Sequence, residues 1–315
     1  MFTLDDIKQA RELVSPYIRR TRLERNDTLS QMLGTNVYLK LEVFQKTGSF
    51  KPRGAFNQIL HVPEEKRANG IVAVSGGNFA QGVAYAANRL GVKALICMAE
   101  STPKNYVEAT KSYGAEVQFA ASIADAFALA KSHQENGMAS VHQYDNPHQM
   151  AGVGTAGLEI VEDLPEMTDV IISIGGGGLI SGISHAIKSL KPSVRVWGVE
   201  TEGADTMGQA LKAGKVVHMM PTSLAKTLGA PYVAEDALTL CQKYLEGYSL
   251  ISDKDAFESQ IFLLERAKIA TELAAACTLS AARKMTFKPS DHVVLFMCGS
   301  NISFQSLMDY HRQLM

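Results

Sequence analysis

Lys51 lies in a setting that favours a reactive amine. Phe50 and Pro52 flank it and Gly54 follows, at the predicted first turn of a helix. Apolar neighbours desolvate a lysine, which lowers the pKa of its ammonium group and lets it act as a nucleophile or base. The residue types alone leave a second interpretation open, since most lysines are solvated surface charges.

Three glycine-containing turns follow predicted buried strands. They occupy residues 75–78, 175–178 and 298–301. Ligands of open parallel sheets bind at the carboxyl ends of the strands, and glycine lets a backbone approach a ligand closely. The 175–178 run is all glycine and opens a predicted helix, whose N–H groups and dipole favour a phosphate group. The alternative is a tight strand–helix turn without a ligand.

The glycine run also suggests a nicotinamide-binding alternative. A dinucleotide fingerprint has glycine at its first, third and sixth positions and an acid about 20 residues later. Glu200 ends the next predicted strand and would supply the acid. Counted from Gly175 or Gly176, however, the sixth residue is Ile180 or Ser181. The third glycine is therefore missing, and an NAD-binding oxidoreductase is the more distant hypothesis.

The composition argues against several classes of partner. Hydrophobic residues make up 46% and charged residues 20% of the chain, and the formal net charge is −1. No basic field favours nucleic acid or an anionic membrane, and no apolar run approaches the roughly 20 residues of a membrane span. The four cysteines are too far apart in sequence to suggest a zinc site or a disulfide framework. We expect a cytoplasmic protein that binds neither nucleic acid nor a membrane.

Strand and helix patterns alternate along the chain. Strands are predicted at 37–41, 70–74, 94–98, 115–119, 169–174, 194–199 and 292–297. Thr3 and Asp6 predict a cap at the start of the first helix. Helices are predicted at 4–18, 80–90, 103–113, 123–134 and 179–190. This alternation predicts an α/β fold with parallel sheets.

Four ordered motifs resemble those of fold-type II pyridoxal-phosphate enzymes, and within them the serine/threonine dehydratase family, which includes threonine ammonia-lyases and serine racemases. The motifs are Ser49–Ala55, Ser75–Asn78 with Gln81–Ala84, Gly175–Leu179 and Cys298–Asn301. The resemblance implies a tryptophan synthase β-like fold, with two open twisted sheets of the parallel type flanked by helices. It also implies a large domain, 1–60 and 145–315, a small domain, 61–144, inserted in it, and a cofactor in the cleft.

The same resemblance assigns roles around pyridoxal 5'-phosphate. Lys51 would hold the cofactor aldehyde and later remove the Cα proton of the substrate, and Phe50 would pack against the pyridine ring. Asn78 would donate to the 3-oxygen of the ring, and Cys298 would face its nitrogen. The phosphate would be held by backbone N–H groups of Gly175, Gly176, Gly177, Gly178 and Leu179. The substrate carboxylate would be held by the segment Ser75, Gly76, Gly77, Asn78 and Phe79.

Cys298 bears on the type of reaction. A neutral thiol does not keep the pyridine nitrogen protonated as a carboxylate would, so the ring is a weaker electron sink and elimination of a β-leaving group is favoured. The expected enzyme is therefore an ammonia-lyase that dehydrates and deaminates a β-hydroxy-α-amino acid such as L-threonine or L-serine to a 2-oxo acid and ammonia. The partner is then a small amino acid, and the resemblance implies a homodimer.

Two residues depart from the family pattern near the expected substrate. Gly76 stands where racemases carry a serine, and glycine has no side chain to return a proton to the second face, so we expect little racemisation. Phe79 stands where the family usually has histidine. Serine racemase, or a dehydratase of a bulkier or acidic substrate such as phenylserine or 3-hydroxyaspartate, stays as the alternative.

A divalent cation, Mg²⁺ or Mn²⁺, is a further hypothesis. Some members of the family bind a metal through a Glu-x-x-x-Ala-x-Asp stretch, and Glu200 and Ala204 match its first two positions. Thr206 replaces the final acid, so the cation would depend on Glu200 and carbonyl oxygens. The alternative is a solvated acidic loop.

Two further hypotheses share the fold. A β-replacement synthase of the cysteine synthase type usually lacks the Phe-Lys-Pro-Arg-Gly run found at 50–54. An amino-acid sensor would have lost activity, and the intact Lys51 argues against it. Both rank below the ammonia-lyase.

Overall fold

The computed structural model describes residues 1–315 as two sheets with helices on their faces. A six-stranded sheet has the order β1-β2-β10-β7-β8-β9, and a four-stranded sheet has the order β5-β4-β3-β6. The strands are β1 (Leu23–Arg25), β2 (Asn36–Lys40), β3 (Ile71–Val74), β4 (Ala94–Ala99), β5 (Glu116–Ala120), β6 (Ala139–Ser140), β7 (Asp169–Ser173), β8 (Arg195–Thr201), β9 (Leu245–Ile251) and β10 (His292–Phe296).

Fourteen helices cover the sheets. They are α1 (Leu4–Val14), α2 (Asp27–Leu33), α3 (Lys51–His61), α4 (Glu64–Arg67), α5 (Asn78–Arg89), α6 (Lys104–Ser112), α7 (Ile123–Glu135), α8 (Pro147–Asp163), α9 (Gly178–Leu190), α10 (Thr206–Ala213), α11 (Glu235–Tyr244), α12 (Asp253–Phe262), α13 (Leu273–Arg283) and α14 (Phe304–Leu314). None of them is both long and apolar enough to cross a membrane.

The predicted α/β fold is confirmed. Every strand pair is parallel except β1 with β2, and each predicted strand lies within one or two residues of an observed one. Thr3 and Asp6 form the expected capping box, in which each side chain accepts from the backbone of the other residue. The first helix ends at Val14, four residues earlier than expected.

The sequence pattern misses α8, which lies in the interior. Gly152, Gly154 and Gly157 look like helix breakers, yet each lets a neighbouring segment pack against the helix. An added Cβ would lie 2.6 Å from Arg53 O at Gly152, and 2.9 Å from Gly182 O at Gly154. A helix that is buried all round has no polar face, so the periodicity used to recognise helices is absent.

The small sheet is built from one continuous stretch of the chain. Its four strands all lie between residues 71 and 140, inside the predicted range 61–144. The α3 helix packs against both α8 and α5, and so lies between the part of the chain with the large sheet and the part with the small sheet. Because α3 begins at Lys51, this packing places the lysine at the junction of the two sheets. The domain limits themselves stay a prediction.

Candidate active site

The Lys51 amine lies in a largely apolar setting. Its Nζ donates to Gln143 O at 3.0 Å and lies 4.9 Å from the ring centroid of Phe50 and 5.6 Å from that of Phe79. Desolvation lowers the pKa of Lys51 from its ordinary value of 10.5 to about 8, although Cys298 and Glu272 act in the opposite direction. At neutral pH the neutral amine is therefore far more populated than on a surface lysine, as a nucleophile or base requires.

The Cys298 thiol is buried beside Lys51, at the end of β10. Ser173 Oγ donates to Cys298 Sγ across 3.6 Å, and burial raises the pKa of the thiol to about 12. The group is accordingly neutral at physiological pH. This matches the uncharged partner that the sequence predicts for a pyridine nitrogen.

The 175–178 turn provides a cradle of free backbone N–H groups. It joins β7 to α9, and no side chain caps the helix. The N–H groups of Gly176, Gly177, Gly178 and Leu179 make no hydrogen bond within the chain. An added Cβ at Gly176 would lie 2.3 Å from the Tyr144 ring. Only glycine fits, and the free donors at the positive end of a helix suit a phosphate group.

Asn78 is held by a network that the sequence did not indicate. Its Nδ2 donates to Glu272 Oε1 at 2.8 Å, and its Oδ1 accepts from Asn301 Nδ2 at 2.7 Å. Thr227 Oγ1 donates to the other Glu272 oxygen at 2.8 Å. The Asn78 amide therefore has a fixed orientation and retains one N–H for a ligand such as the 3-oxygen of the ring.

Glu272 is the buried carboxyl at the centre of this network. It also accepts from the backbone N–H of Asn301 at 2.9 Å, and burial raises its pKa despite these hydrogen bonds. It precedes α13 and belongs to no recognisable motif. The only signal in the sequence is an acid within the apolar run 269–275, which local patterns do not connect to a site around residue 78.

The 75–79 segment forms a second turn with free donors. Ser75 Oγ accepts from Gly77 N at 3.2 Å, and α5 begins at Asn78 without a side-chain cap. The N–H groups of Asn78 and Phe79 have no partner within the chain, as a carboxylate site requires. The Phe79 side chain is buried in the core of the small sheet, with its ring centroid 5.6 Å from Lys51 Nζ.

The space beside Gly76 is filled by another residue. An added Cβ on Gly76 would lie 2.7 Å from Thr102 Oγ1. The sequence predicts no side-chain group at this position, because Gly76 itself has none. A hydroxyl is nevertheless present there, from a residue 26 positions further along the chain.

Arg53, in the same helical turn as Lys51, points to a different environment. Its guanidinium is fully buried and lies 2.7 Å from carboxylate oxygens of Glu42 and Glu159. Lys40 Nζ lies 2.6 Å from the second Glu159 oxygen. These paired charges anchor the start of α3 to β2 and α8, and so set the direction in which Lys51 projects.

Glu200, the predicted metal ligand, caps a helix. Its two carboxyl oxygens accept from the backbone N–H groups of Met207 at 3.1 Å and Gly208 at 2.9 Å, and burial raises its pKa to about 8. Ala204 is buried nearby, and Thr206 Oγ1 donates to a backbone carbonyl. No group of three His, Cys, Asp or Glu side chains is arranged so that it could hold a metal ion. The cation stays a prediction with Glu200 as its one charged ligand.

Comparison with known proteins agrees with this geometry. A family model described as pyridoxal-phosphate dependent enzyme matches residues 14–299. An L-threonine ammonia-lyase of Thermotoga maritima is 40% identical over 306 residues, covering 96% of this chain and 76% of that protein. A catabolic L-threonine dehydratase of Staphylococcus aureus is 38% identical over 308 residues, covering 95% of this chain and 89% of that protein.

Solved structures give the same result. The structure of a maize serine racemase superposes with a TM-score of 0.93 at 30% identity and covers 99% of this chain and 97% of that one. The match leaves the nicotinamide-binding alternative without support and confirms the resemblance drawn from the four motifs. The chain belongs to the pyridoxal-phosphate dependent enzymes, and pyridoxal phosphate is its cofactor.

Proposed function

We propose that the chain is an ammonia-lyase that acts on a β-hydroxy-α-amino acid, with L-threonine and L-serine as its substrates. The observation that carries this proposal is the pairing of Lys51, whose pKa is lowered to about 8, with the buried neutral thiol of Cys298. A neutral partner at the ring nitrogen favours elimination over longer-lived carbanion chemistry. The named activities of the Thermotoga and Staphylococcus relatives support the same reaction.

Each part of the site has a separate role in the proposed reaction. Bound pyridoxal phosphate supplies an electron sink for the bond electrons released at the substrate Cα. The free N–H groups at the start of α9 hold the phosphate, and those at the start of α5 hold the substrate carboxylate. Lys51 Nζ takes the Cα proton, and the free N–H of the Asn78 amide would donate to the 3-oxygen of the ring. In the net reaction the Cα–H and Cβ–O bonds break, water leaves, and the resulting enamine hydrolyses to a 2-oxo acid and ammonia.

Serine racemisation is the second candidate. Two observations favour it: the likeness to the maize serine racemase, and the Thr102 hydroxyl in the space beside Gly76. Racemisation needs a proton donor on the face of the substrate opposite Lys51. Gly76 supplies none, and we assign the Thr102 hydroxyl below to the substrate carboxylate, so elimination is the main reaction proposed.

The test uses the cofactor-loaded wild-type enzyme. It is incubated with L-threonine, L-serine, phenylserine and 3-hydroxyaspartate, while 2-oxo acid and ammonia are measured together and D-serine is followed by chiral chromatography. We expect equimolar 2-oxo acid and ammonia from L-threonine and L-serine, with much less D-serine. D-serine formed as fast as pyruvate would establish the racemase instead, and product only from phenylserine or 3-hydroxyaspartate would change the substrate class.

The assembly and location of the protein are also proposals. The homodimer and the cytoplasmic location rest on the family resemblance and on the composition. Light scattering at working concentration tests the first, and a monomer would contradict it. Fractionation of the source cells tests the second.

A further inference from the structure

Thr102 occupies the volume that a side chain at position 76 would need. An added Cβ on Gly76 would lie 2.7 Å from Thr102 Oγ1, 3.1 Å from its Cγ2 and 3.5 Å from its Cβ. All three distances are to one side chain, and no other atom is as near. Thr102 belongs to the loop between β4 and α6, so a separate segment provides the group beside the glycine.

The Thr102 hydroxyl has no hydrogen-bond partner within the chain, and the residue is half-buried. Its backbone is well anchored: the N–H donates to Ala99 O at 2.9 Å, and Pro103 follows it and restricts its backbone to extended conformations. A threonine side chain has few rotamers. The hydroxyl is thus a positioned donor that is free to bind a ligand.

The loop that carries Thr102 is tied to the site. Tyr106, at the start of α6, donates through its hydroxyl to Asn301 O at 2.5 Å, and the Asn301 side chain donates to Asn78 Oδ1 at 2.7 Å. Asn78 opens α5, whose first N–H groups are free. Gly76 lies two residues before Asn78, so the unpartnered Thr102 hydroxyl faces the same short turn that carries the unpartnered N–H groups.

We propose that Thr102 is a substrate-binding residue whose hydroxyl donates to the amino-acid carboxylate at the start of α5. Gly76 and Thr102 then form a matched pair, in which the glycine leaves room for the threonine. The inference rests on the proposed function only in taking an α-amino acid as the substrate. It does not depend on which group that amino acid carries at Cβ.

A pair of variants separates hydrogen bonding from packing. Thr102→Val keeps the volume and removes the hydroxyl, whereas Thr102→Ser keeps the hydroxyl and removes a methyl group. If Thr102 only fills space, the serine variant is the more damaged of the two. If the Thr102 hydroxyl binds the carboxylate, the valine variant is the more damaged of the two. Ser101→Ala is the matched control, because it removes an exposed hydroxyl from the adjacent position.

The measurement is the dissociation constant of L-alanine from the cofactor-loaded enzyme, by spectral titration. L-alanine carries the carboxylate but no β-leaving group, so its binding is independent of dehydratase activity. We expect Thr102→Val to weaken binding about tenfold, as loss of one hydrogen bond to a charged group predicts. Thr102→Ser and Ser101→Ala should stay within about threefold of wild type. A dissociation constant for Thr102→Val within that same range would overturn the proposal.

Steady-state kinetics with L-threonine give a second reading. The KM of Thr102→Val should rise by about the same factor as the dissociation constant while kcat changes less, because the lost contact serves binding. If no variant or wild-type enzyme turns over L-threonine while the L-alanine titration gives the expected order, the proposed function fails and the carboxylate contact stands. An unchanged KM in an active Thr102→Val enzyme contradicts the contact.

The pairing with Gly76 is tested by thermal melting of the cofactor-loaded protein. Gly76→Ser should lower the melting temperature, because its side chain would collide with Thr102. The double variant Gly76→Ser/Thr102→Ala should recover most of that loss. If Gly76→Ser melts at the wild-type temperature, or if removing the Thr102 side chain gives no recovery, the two residues are not a matched pair.

Discussion

The two glycine turns of the site look alike in sequence but differ in the space around them. At the 175–178 turn an added Cβ would lie 2.3 Å from the Tyr144 ring at Gly176 and 2.4 Å from Ala237 at Gly177, where φ is also +92°. At the 75–78 turn an added Cβ on Gly77 would meet only Thr227, at 3.9 Å. The first turn is enclosed by the large sheet and its helices, and the second is open on one side.

This difference in packing agrees with the ligand proposed for each turn, the cofactor phosphate at 175–178 and the substrate carboxylate at 75–79. A cofactor phosphate is the same in every turnover, so the turn that holds it can be packed tightly and built only from glycine. A substrate enters and leaves, so a turn that holds it needs open space beside it, as found at Gly77. We infer that cofactor binding is the property most sensitive to change at 175–178, and substrate binding at 75–79.

Removing Lys51 should have the largest effect, because in the proposed mechanism both turns position ligands for its amine. Lys51→Ala should reduce 2-oxo acid release at least about 10³-fold, as expected for loss of a group that serves as nucleophile and base. The visible absorbance of the bound cofactor should also change. Far-ultraviolet circular dichroism serves as the control for folding. Turnover near the wild-type rate would refute the role of Lys51 and the comparison built around it.

Gly176→Ala tests the enclosed turn. The new methyl group displaces the Tyr144 ring, so we expect stability to fall by about 1–3 kcal/mol, as for overpacking of a core. Affinity for pyridoxal phosphate should fall at least about tenfold as the N–H groups shift. Denaturant unfolding and absorbance titration measure the two effects. Unchanged cofactor affinity would place the phosphate elsewhere.

The setting of Lys51 predicts a pH dependence of stability. Its pKa is lowered from 10.5 to about 8 in the folded, cofactor-free protein, so between these values the unfolded chain binds more protons and stability rises with pH. Below pH 8 both states are protonated and the full penalty of burying the charge remains. Lys51→Met should therefore stabilise the cofactor-free protein at pH 7 by about 2 kcal/mol, allowing for partial exposure of the side chain.

That advantage should shrink as the pH rises from 8 towards 10. Denaturant midpoints of the two proteins at pH 7, 8, 9 and 10 provide the comparison, with Lys46→Met, on a half-buried lysine nearby, as the control. A constant difference over this range would show that Lys51 titrates normally.

Gly77→Ala should have the smallest effect and completes the comparison with Gly176→Ala. Gly77 has φ −144°, which any residue adopts, and its added methyl group meets no close neighbour. We expect a stability change below about 0.5 kcal/mol, unchanged cofactor affinity, and a KM raised a few-fold. If Gly77→Ala lost cofactor as readily as Gly176→Ala, the two turns would not have separate tasks.

Local patterns in the sequence predicted most of the sheet strands. They also predicted the reactive amine of Lys51 and the phosphate-binding turn at 175–178. The strands β3, β4 and β7 are short apolar runs bounded by turn residues, and such runs form strands wherever they are buried. The 175–178 turn was recognisable because its glycines and the helix that follows them create the free N–H groups. The residues flanking Lys51 suggested a reactive amine, but contacts with the distant Phe79 and Gln143 complete its setting.

Only the tertiary structure decided what joins these motifs. Glu272 bonds to Asn78 across 194 positions of sequence, α8 is buried on every side, and Thr102 fills the space beside Gly76. None of these features can be recognised from neighbouring residues in the sequence, because the residue or segment that each one contacts is distant in the chain. Burial then determines the rest: the same carboxyl that would be a solvated charge on a loop becomes, at Glu272, a group with a raised pKa that orients Asn78.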